Sequence, residues 1–257
     1  MINQTEPFRL ITIPVSHYCE KARWALTRLK LSYVEEGHIP LFHAFATKRA
    51  GGQSTPVLVT EKAAFLDSTD ILKYLDSIAS KNEKIIPEEP NLRKQAEELE
   101  ELFDQKLGTA ARRWAYSHII GDNKLIRDAW CNSIPKWEAL FFPVLLPILR
   151  PALIKNFDIN ADSAQESYIQ IQEIFEKVAQ ILSDGRQYLV GDKFSIADLT
   201  FASLSAPMIQ AAEYPKSIHE KQNLPAKMLL EIKQMQETTA GKFALRLYKN
   251  ERFVGGK

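Results

Sequence analysis

The sequence predicts an α/β domain followed by an all-α domain, and three observations support this division. In residues 1–82, short apolar runs alternate with amphipathic stretches in the order β-α-β-α-β-β-α. Residues 83–91 are polar and contain Pro87 and Pro90, which is typical of a linker. In residues 92–257 the apolar side chains recur mainly at helical spacing. We therefore expect two domains joined by a short linker.

The elements of the first domain follow from the spacing of its apolar residues. Short apolar runs predict strands, and apolar residues three or four positions apart predict helices. The predicted elements are a strand over Phe8–Pro14, a helix from His17, a strand over Tyr33–His38, a helix over Phe42–Arg49, a hairpin of Val57–Val59 and Ala63–Leu66, and a helix over Thr69–Ser80 capped by Ser68. In the helix from His17, charged side chains cover the faces outside the apolar stripe, namely Glu20, Lys21, Arg23 and Arg28.

The second domain reads as a series of helices. They are predicted over Leu92–Ile120, Lys124–Leu153, a stripe from Tyr168 to Leu182 that ends at Gly185, Ser195–Ala212 and Lys221–Glu237. Four prolines interrupt the second of these segments, namely Pro135, Pro143, Pro147 and Pro151. Because proline lacks a backbone N–H and clashes with the preceding turn, we expect this segment to kink or break.

The charge and cysteine content exclude several classes of protein. The 257 residues include 33 basic and 32 acidic side chains, so no overall field favours a nucleic acid or an anionic membrane. Two distant cysteines, Cys19 and Cys131, cannot form a disulfide framework or a metal cage, and the five histidines show no ligand spacing. We therefore expect no bound metal, no nucleic-acid partner and a reducing, cytoplasmic location.

No targeting or spanning segment is expected either. The N-terminus lacks the basic region and long apolar core of a signal peptide. The strongest apolar run, Leu140–Ile154, is shorter than the ~20 residues of a membrane span and contains three prolines and Arg150. We interpret this run as buried or partly exposed.

Three motifs stand at defined points of this pattern. Ser16-His17-Tyr18-Cys19 lies where the first predicted strand turns into the first helix, and Ser54-Thr55-Pro56-Val57 precedes the hairpin and is followed by Asp67-Ser68. The third motif, YLVGDKFSIADLTFASL, occupies residues 188–204. Because these three motifs occur in this order, the chain resembles the cytosolic glutathione S-transferase superfamily, and the resemblance covers nearly its whole length. The resemblance implies a thioredoxin-like N-terminal domain and a helical C-terminal domain.

The resemblance places the catalytic group of the family at Ser16. A hydroxyl at a helix N-terminus, with the free backbone N–H groups beside it, suits a bound anion such as the thiolate of glutathione. Lowering a thiol pKa by two units requires about 2.7 kcal/mol, which one charge-assisted hydrogen bond of about 1.5–3 kcal/mol and the helix terminus can supply. A simple N-cap is the structural alternative for Ser16.

Cys19 is the alternative catalytic residue, because a thiol one turn into the same helix would also feel the helix dipole. Relatives that exchange thiols carry their cysteine at the first position of the motif, where this chain has Ser16. We therefore expect Cys19 to pack as a small buried residue.

The other two motifs imply the contacts to glutathione. Thr55 would hold the cysteinyl part through its backbone, next to a cis bond at Pro56. Asp67 and Ser68 would hold the γ-glutamyl end, although capping of a helix is compatible with both. Lys48, or else Arg49, is the candidate for the glycyl carboxylate. Solvated ends of a helix are the alternative for these two cations.

A second substrate would lie between the domains. Its candidate walls are Tyr18, Arg112, Arg113, Trp114 and Tyr116, although aromatic residues at helical spacing are more often part of a core. In the third motif, Ser195 and Asp198 have the spacing of a capping box, which is a structural device.

The leading hypothesis is therefore a glutathione transferase, in which glutathione is the co-substrate and an apolar electrophile is the second substrate, in a detoxification role. A glutathione-dependent thiol transferase or reductase that uses Cys19, and a non-catalytic binding module of the same fold, are the alternatives. The resemblance also implies a homodimer.

Overall fold

The computed structural model describes residues 6–214 and 224–253. The N-terminal domain is a four-stranded sheet with three helices. Its elements are β1 (Phe8–Thr12), α1 (His17–Arg28), β2 (Tyr33–Gly37), α2 (Phe42–Arg49), β3 (Val57–Val59), β4 (Ala64–Phe65) and α3 (Ser68–Ile78). This is the predicted order, and every predicted element of this domain is present.

The sheet has the strand order β2-β1-β3-β4. Strand β1 pairs in parallel with β2, with Leu10 opposite Glu35, and antiparallel with β3, with Leu10 opposite Leu58. A parallel pair needs a crossover, and α1 supplies it. The central position of β1 places its carboxyl end, and the turn that follows it, next to the start of β3.

The C-terminal domain contains the remaining helices of the described chain. They are α4 (Pro90–Leu102), α5 (Thr109–Ile119), α6 (Asn123–Trp130), α7 (Lys136–Asn156), α8 (Ala161–Ile181), α9 (Ile196–Ile209), α10 (Ala226–Glu237) and α11 (Thr239–Glu251). The predicted start of α10 at Lys221 lies outside the described residues. Within them, α10 begins at Ala226 because Pro225, at its N-cap, supplies the extended entry.

The first predicted helix of this domain is divided. A π-helical segment, Phe103–Gly108, separates α4 from α5. Such segments are frequent at functional sites, and nothing in the apolar spacing distinguishes one from regular α-helix.

The proline-rich segment also differs from the expectation. It breaks once, between α6 and α7 at residues 131–135, and then continues as one helix of 21 residues through Pro143, Pro147 and Pro151. These prolines are exposed and four residues apart, so the missing hydrogen bonds fall along one side of the helix.

Helix α7 is also longer than the apolar run Leu140–Ile154, which is too short for a membrane span. Its length and its mean hydropathy of 1.5 over 18 residues suffice for a membrane span, and only 22% of that stretch is buried. One side of α7 nevertheless belongs to the core, since Phe142, Leu146, Leu149 and Leu153 are buried.

The charged residues of α1 correct a further expectation. Glu20, Lys21 and Arg23 are almost completely buried, although the periodicity assigned them to faces outside the apolar stripe. Helix α1 packs against α3 on one side and α9 on the other, so it has no free polar face there. Its charges are paired instead of solvated.

These pairs connect the two domains. Lys21 Nζ lies 2.8 Å from Glu100 Oε1 of α4 and also bonds Asp104 of the π-helical segment. Arg252, just after α11, donates to Glu20 Oε1 at 2.6 Å. Breaking one partner of such a buried pair costs about 3–5 kcal/mol, so α1 locks the domains together.

Candidate functional site

A cavity of about 360 Å³ lies between the two domains, at the carboxyl end of β1. Its wall is formed by residues of the turn before α1, by residues before β3, and by side chains of α5, α7 and the α9–α10 region. Of the residues predicted for a site, the structure brings Ser16, Tyr18, Thr55, Arg112 and Tyr116 to this one cavity.

The turn that carries Ser16 is held from three sides. The Ser16 N–H donates to Ile13 O at 3.0 Å. Buried Arg23 donates to Pro14 O at 2.9 Å, and Tyr214 Oη donates to Val15 O at 3.1 Å. Because Arg23 is itself fixed by Glu35 at 2.7 Å, the sheet, α1 and the C-terminal domain all position this turn.

Ser16 is the N-cap of α1. Its Oγ accepts a weak hydrogen bond from the Cys19 N–H at 3.4 Å, and its side chain is half-buried on the cavity wall. A hydroxyl on the cavity wall can donate its proton to a ligand while it accepts from the helix. The first N–H groups of α1 surround the same point, where the helix dipole favours an anion.

Cys19 lies beneath this surface. It is fully buried and does not line the cavity. Burial raises the pKa of the Cys19 thiol, and Arg23, Ser16 and Thr55 oppose that shift only in part. A buried thiol with a raised pKa is mostly protonated near neutral pH, which disfavours its use as a nucleophile.

The segment before β3 supplies the opposite wall. The Thr55–Pro56 peptide bond is cis, as the resemblance implies, and Ser54 and Thr55 line the cavity. Within the described part of the chain, the backbone N–H and C=O of Thr55 form no hydrogen bond to other backbone groups. They are therefore available to an extended peptide laid beside them.

The π-helical segment lies behind the cavity wall and holds two aromatic residues of α1 that line it. His17 Nε2 donates to Gly108 O at 2.8 Å, and Tyr18 Oη donates to Asp104 O at 2.8 Å. The Tyr18 ring lies so close to Gly108 that a Cβ there would overlap its hydroxyl. Glycine is therefore required at 108 if the ring keeps this position.

Arg112 sets the charge of the cavity. Burial lowers the pKa of His17 to about 3, and burial also lowers the pKa of His43. Among the described lining residues, Arg112 is then the one side chain that carries charge at neutral pH. Its guanidinium lies 4.3 Å from the centre of the Phe157 ring, and its Nε is buried without a hydrogen-bond partner. The one charge on the described cavity wall is therefore positive, which suits an anionic ligand.

Asp67, Ser68 and Lys48 do not line the cavity. Asp67, not Ser68, is the N-cap of α3, because its Oδ1 accepts from the Thr69 N–H at 2.8 Å. This corrects the predicted cap. Ser68 is buried as the first residue of α3, and Lys48 is exposed in the last turn of α2.

Two predicted wall residues lie elsewhere. Trp114 faces a different cavity, and its Nε1 donates to Glu231 Oε2 at 2.7 Å. Arg113 donates to Phe157 O at 2.8 Å and to Ser167 Oγ at 3.2 Å, so it joins α5 to α8. On α5, Arg112 and Tyr116 face the cavity with Ser16, whereas Arg113 and Trp114 point away from it because they lie about 100° and about 200° further around the helix than Arg112.

Sequence reasoning missed several lining residues. His17, His43, Gln210 and Tyr214 line the cavity, and the last three stand in no pattern that separates them from ordinary core or surface residues. For His17 alone a signal existed, since it belongs to the first motif.

The capping box of the third motif is present. Asp198 Oδ2 accepts from the Ser195 N–H at 2.8 Å, and Asp198 Oδ1 accepts from the Leu189 N–H at 2.8 Å. Burial raises the pKa of Asp198 to about 6. Asp198 therefore ties the start of α9 to the preceding loop, away from the cavity. In the described part of the chain, no group of three or more His, Cys, Asp or Glu side chains could hold a metal.

A thioredoxin-like domain with a hydroxyl at the start of its first helix, a cis-proline beside it and a helical domain across the cavity defines the architecture of glutathione transferases. Residues 10–83 match the family model of the glutathione S-transferase N-terminal domain, and residues 141–225 match that of the glutathione S-transferase C-terminal domain. The chain belongs to the glutathione S-transferase superfamily, which confirms the predicted family and fold.

Solved structures show the same fold. The chain is similar to a glutathione S-transferase from Rhodospirillum rubrum F11 at 17% identity and a TM-score of 0.56, covering 96% of this chain and 100% of that one. It is similar to the beta-etherase LigF from Sphingobium sp. strain SYK-6 at 15% identity and a TM-score of 0.59, and the match covers 94% of this chain and 99% of that one. The chain is also similar to a glutathione S-transferase from Methylobacillus flagellatus KT with glutathione bound, at 16% identity and a TM-score of 0.53, and the match covers 92% of this chain and 98% of that one. No curated protein sequence matches the chain significantly.

Proposed function

We propose that the protein is a glutathione transferase in which the Ser16 hydroxyl stabilises the thiolate of bound glutathione. The placement of that hydroxyl supports the proposal best: it lies on the cavity wall at the start of α1, across from Thr55 and the cis bond. The structure of a family member with glutathione bound supports glutathione as the ligand.

The chemistry follows from the electrostatics of the cavity. The glutathione thiol loses its proton to solvent, and the thiolate then forms a carbon–sulfur bond with an electrophilic carbon of the second substrate. The bond that breaks at that carbon gives its electron pair to the leaving group or, in an addition, to the neighbouring atom, which takes a proton from solvent. The Ser16 hydrogen bond contributes about 1.5–3 kcal/mol to the thiolate and the N-terminus of α1 about 0.3–1 kcal/mol. Arg112 adds positive potential in the same cavity. Together these groups suffice to lower the thiol pKa by about two units, which requires about 2.7 kcal/mol.

The remaining contacts are proposed from their positions. The free backbone groups of Thr55, preceding Pro56, would pair with the cysteinyl residue of glutathione. Asp67 and Ser68 at the start of α3 would hold the γ-glutamyl end, and Lys48 the glycyl carboxylate. Tyr18, Arg112 and Tyr116 would form the wall for the apolar electrophile.

The test compares Ser16→Ala with Cys19→Ser. We expect Ser16→Ala to raise the thiol pKa of bound glutathione and to lower turnover of a broad electrophile panel about ten- to a hundred-fold at neutral pH, with less loss at high pH. The thiolate absorbance of the complex and the pH–rate profile measure both effects. We expect Cys19→Ser to retain conjugation, because the buried thiol does not reach the cavity.

Two other results would replace this proposal. Conjugation that survives Ser16→Ala but vanishes in Cys19→Ser, with a mixed disulfide between Cys19 and glutathione in the mass spectrum, would establish thiol exchange. Retention on immobilised glutathione without turnover of any electrophile would establish a binding module. Asp67→Ala tests the glutathione contacts separately, since we expect it to weaken retention without changing the thiol pKa of the fraction that binds.

By the same resemblance we propose that the protein is a cytoplasmic homodimer with a role in detoxification. Light scattering at micromolar concentrations tests the dimer directly. The mass of one chain, 29.3 kDa, at every concentration would contradict it.

A further inference from the structure

The exposed side of α7 and the neighbouring part of α2 form one apolar surface. We call it the α7–α2 face and define it by six residues that are each between 51% and 76% exposed, namely Phe45, Trp137, Leu140, Phe141, Val144 and Ile148. The Phe42 ring joins the two helices, because it lies 6.5 Å from the Phe45 ring and 4.9 Å from the Trp137 ring. On α7 alone the face extends about 16 Å, from residue 137 to residue 148.

Outside the core, the charged residues of the two segments that carry this face have one sign. The segments 41–49 and 136–156, which carry the face, contain five basic residues: Lys48, Arg49, Lys136, Arg150 and Lys155. Their one acidic residue, Glu138, is fully buried, where its carboxylate accepts from His38 Nδ1 at 2.5 Å and from the Ile39 N–H at 3.0 Å. The chain as a whole is nearly neutral at +1, so this excess is local.

We propose that the α7–α2 face binds the surface of an anionic lipid bilayer, with α7 lying in the plane of the membrane. An exposed apolar face that carries Trp and Phe, flanked by basic residues, has the composition of an interfacial helix. Its apolar side chains enter the boundary of the acyl chains, and the lysines remain among the headgroups.

The structure disfavours two other arrangements of this helix. A spanning α7 would withdraw Phe142, Leu146 and Leu153 from the core and would leave Glu138 in hydrocarbon without its partners. A second copy of the chain on the same face would bring like charges together. In an antiparallel two-fold pair Lys136 would meet the region of Lys155, and in a parallel pair each lysine would meet its own copy.

The proposal does not depend on the transferase activity. It concerns a face, whereas the transferase proposal concerns the cavity. The two meet at the end of α7, because Leu153 and Asn156 line the cavity. A bilayer held by this face would therefore lie beside one wall of the cavity.

Trp137 gives a direct test. It is 51% exposed, whereas Trp24, Trp114 and Trp130, the other three tryptophans of the chain, are at most 1% exposed. The full chain is mixed with vesicles of phosphatidylcholine and phosphatidylglycerol, or of phosphatidylcholine alone. We expect sedimentation with the anionic vesicles only, a blue shift of the emission, quenching by brominated acyl chains, and release at high salt.

Two double variants with equal changes of charge make the test specific. Leu140→Glu with Val144→Glu places carboxylates on the face, and we expect vesicle binding to weaken at least about tenfold. Ile169→Glu with Leu230→Glu places them on exposed positions of α8 and α10, and we expect binding to be retained. Circular dichroism verifies that both variants are folded.

Three outcomes would overturn the proposal. The first is wild-type protein that stays in the supernatant with anionic vesicles. The second is an equal loss of binding in both double variants, which would assign the effect to net charge. The third is a concentration-dependent dimer that the face variant abolishes while no vesicle binding is seen, which would assign the face to a second copy.

Discussion

Helices α1 and α7 differ in which residues they bury: α1 buries charged side chains, whereas α7 exposes apolar ones. Helix α1 contains Glu20, Lys21 and Arg23, and all three are at most 1% exposed. Helix α7 is the apolar helix of membrane-span length, and its Leu140 and Val144 are more than 70% exposed. Position in the two-domain assembly therefore decides burial here more than residue type does.

The physical reason is the number of neighbours. Helix α1 lies between α3 and α9, so each of its faces meets protein and its charges need partners. Helix α7 lies at the periphery and packs on one side only. An apolar residue can remain exposed at a moderate cost, whereas a charge cannot be buried alone. The buried charges of α1 are consequently hydrogen-bonded, whereas apolar side chains of α7 remain exposed.

The largest effect is expected where this pairing is broken. Lys21→Ala removes the cation between Glu100 and Asp104, so we expect a loss of about 3–5 kcal/mol in the free energy of unfolding measured with urea. Lys94→Ala is the control, because Lys94 is exposed and lies 3.9 Å from Glu98; it should change stability by less than about 0.5 kcal/mol. Equal effects of the two variants would refute the comparison.

The buried side of α7 should come next. Leu146→Ala removes a side chain that is 6% exposed, and we expect a loss of about 2–4 kcal/mol in urea unfolding. Val144→Ala, two residues away on the exposed side, is its control. A small effect at Leu146 would show that α7 is not anchored to the core in solution.

The third test uses pH on α1. His17 has a folded pKa of about 3 because it is buried, against about 6.5 when unfolded. The unfolded state then binds more protons between these values, so His17 contributes stability that is complete above the unfolded pKa and is lost as pH falls towards 3. We expect a loss on the order of 2 kcal/mol between about pH 7.5 and about pH 5.

The control for this third test is His17→Gln, whose amide can still donate to Gly108 O but does not titrate. Urea unfolding of both proteins across this pH range measures the difference. The same slope in both would remove His17 as its source.

The smallest effect is expected on the exposed side of α7. Leu140→Ser should change the free energy of unfolding by no more than about 0.5 kcal/mol, because Leu140 is 76% exposed. Thermal unfolding at low and high protein concentration measures this. A loss above about 1 kcal/mol that grows with concentration would show that another copy covers the residue.

The sequence predicts well what depends on local pattern. The order of strands and helices up to α3 follows from apolar spacing, and the Ser195–Asp198 box follows from residue types three positions apart. That Ser16 and Thr55 lie at one cavity does not follow from local pattern. It could be predicted only from the family resemblance, which implies that these two distant segments are close in space.

The remaining features depend on packing that no local pattern records. The π-helical segment Phe103–Gly108 has ordinary helical composition, and its role becomes visible only when Tyr18 and His17 bond its carbonyls. The sequence pattern predicts Lys21 at the surface, and only the fold brings Glu100, 79 positions later, beside it. The prolines of α7 predict a kink or a break, because the sequence alone does not show that all three lie on the side of the helix away from the core.

The contact between Arg252 and Glu20 has a consequence for synthesis of the protein. These two residues are 232 positions apart, both are buried, and Glu20 Oε1 accepts from Arg252 Nε at 2.6 Å. While the chain emerges from the ribosome, the first helix carries its carboxylate for 232 residues of synthesis before the guanidinium that pairs with it is translated. The first helix can therefore be fully enclosed only after residue 252 has been translated, and a nascent chain stalled before that residue retains the helix in an incomplete, hydrated state.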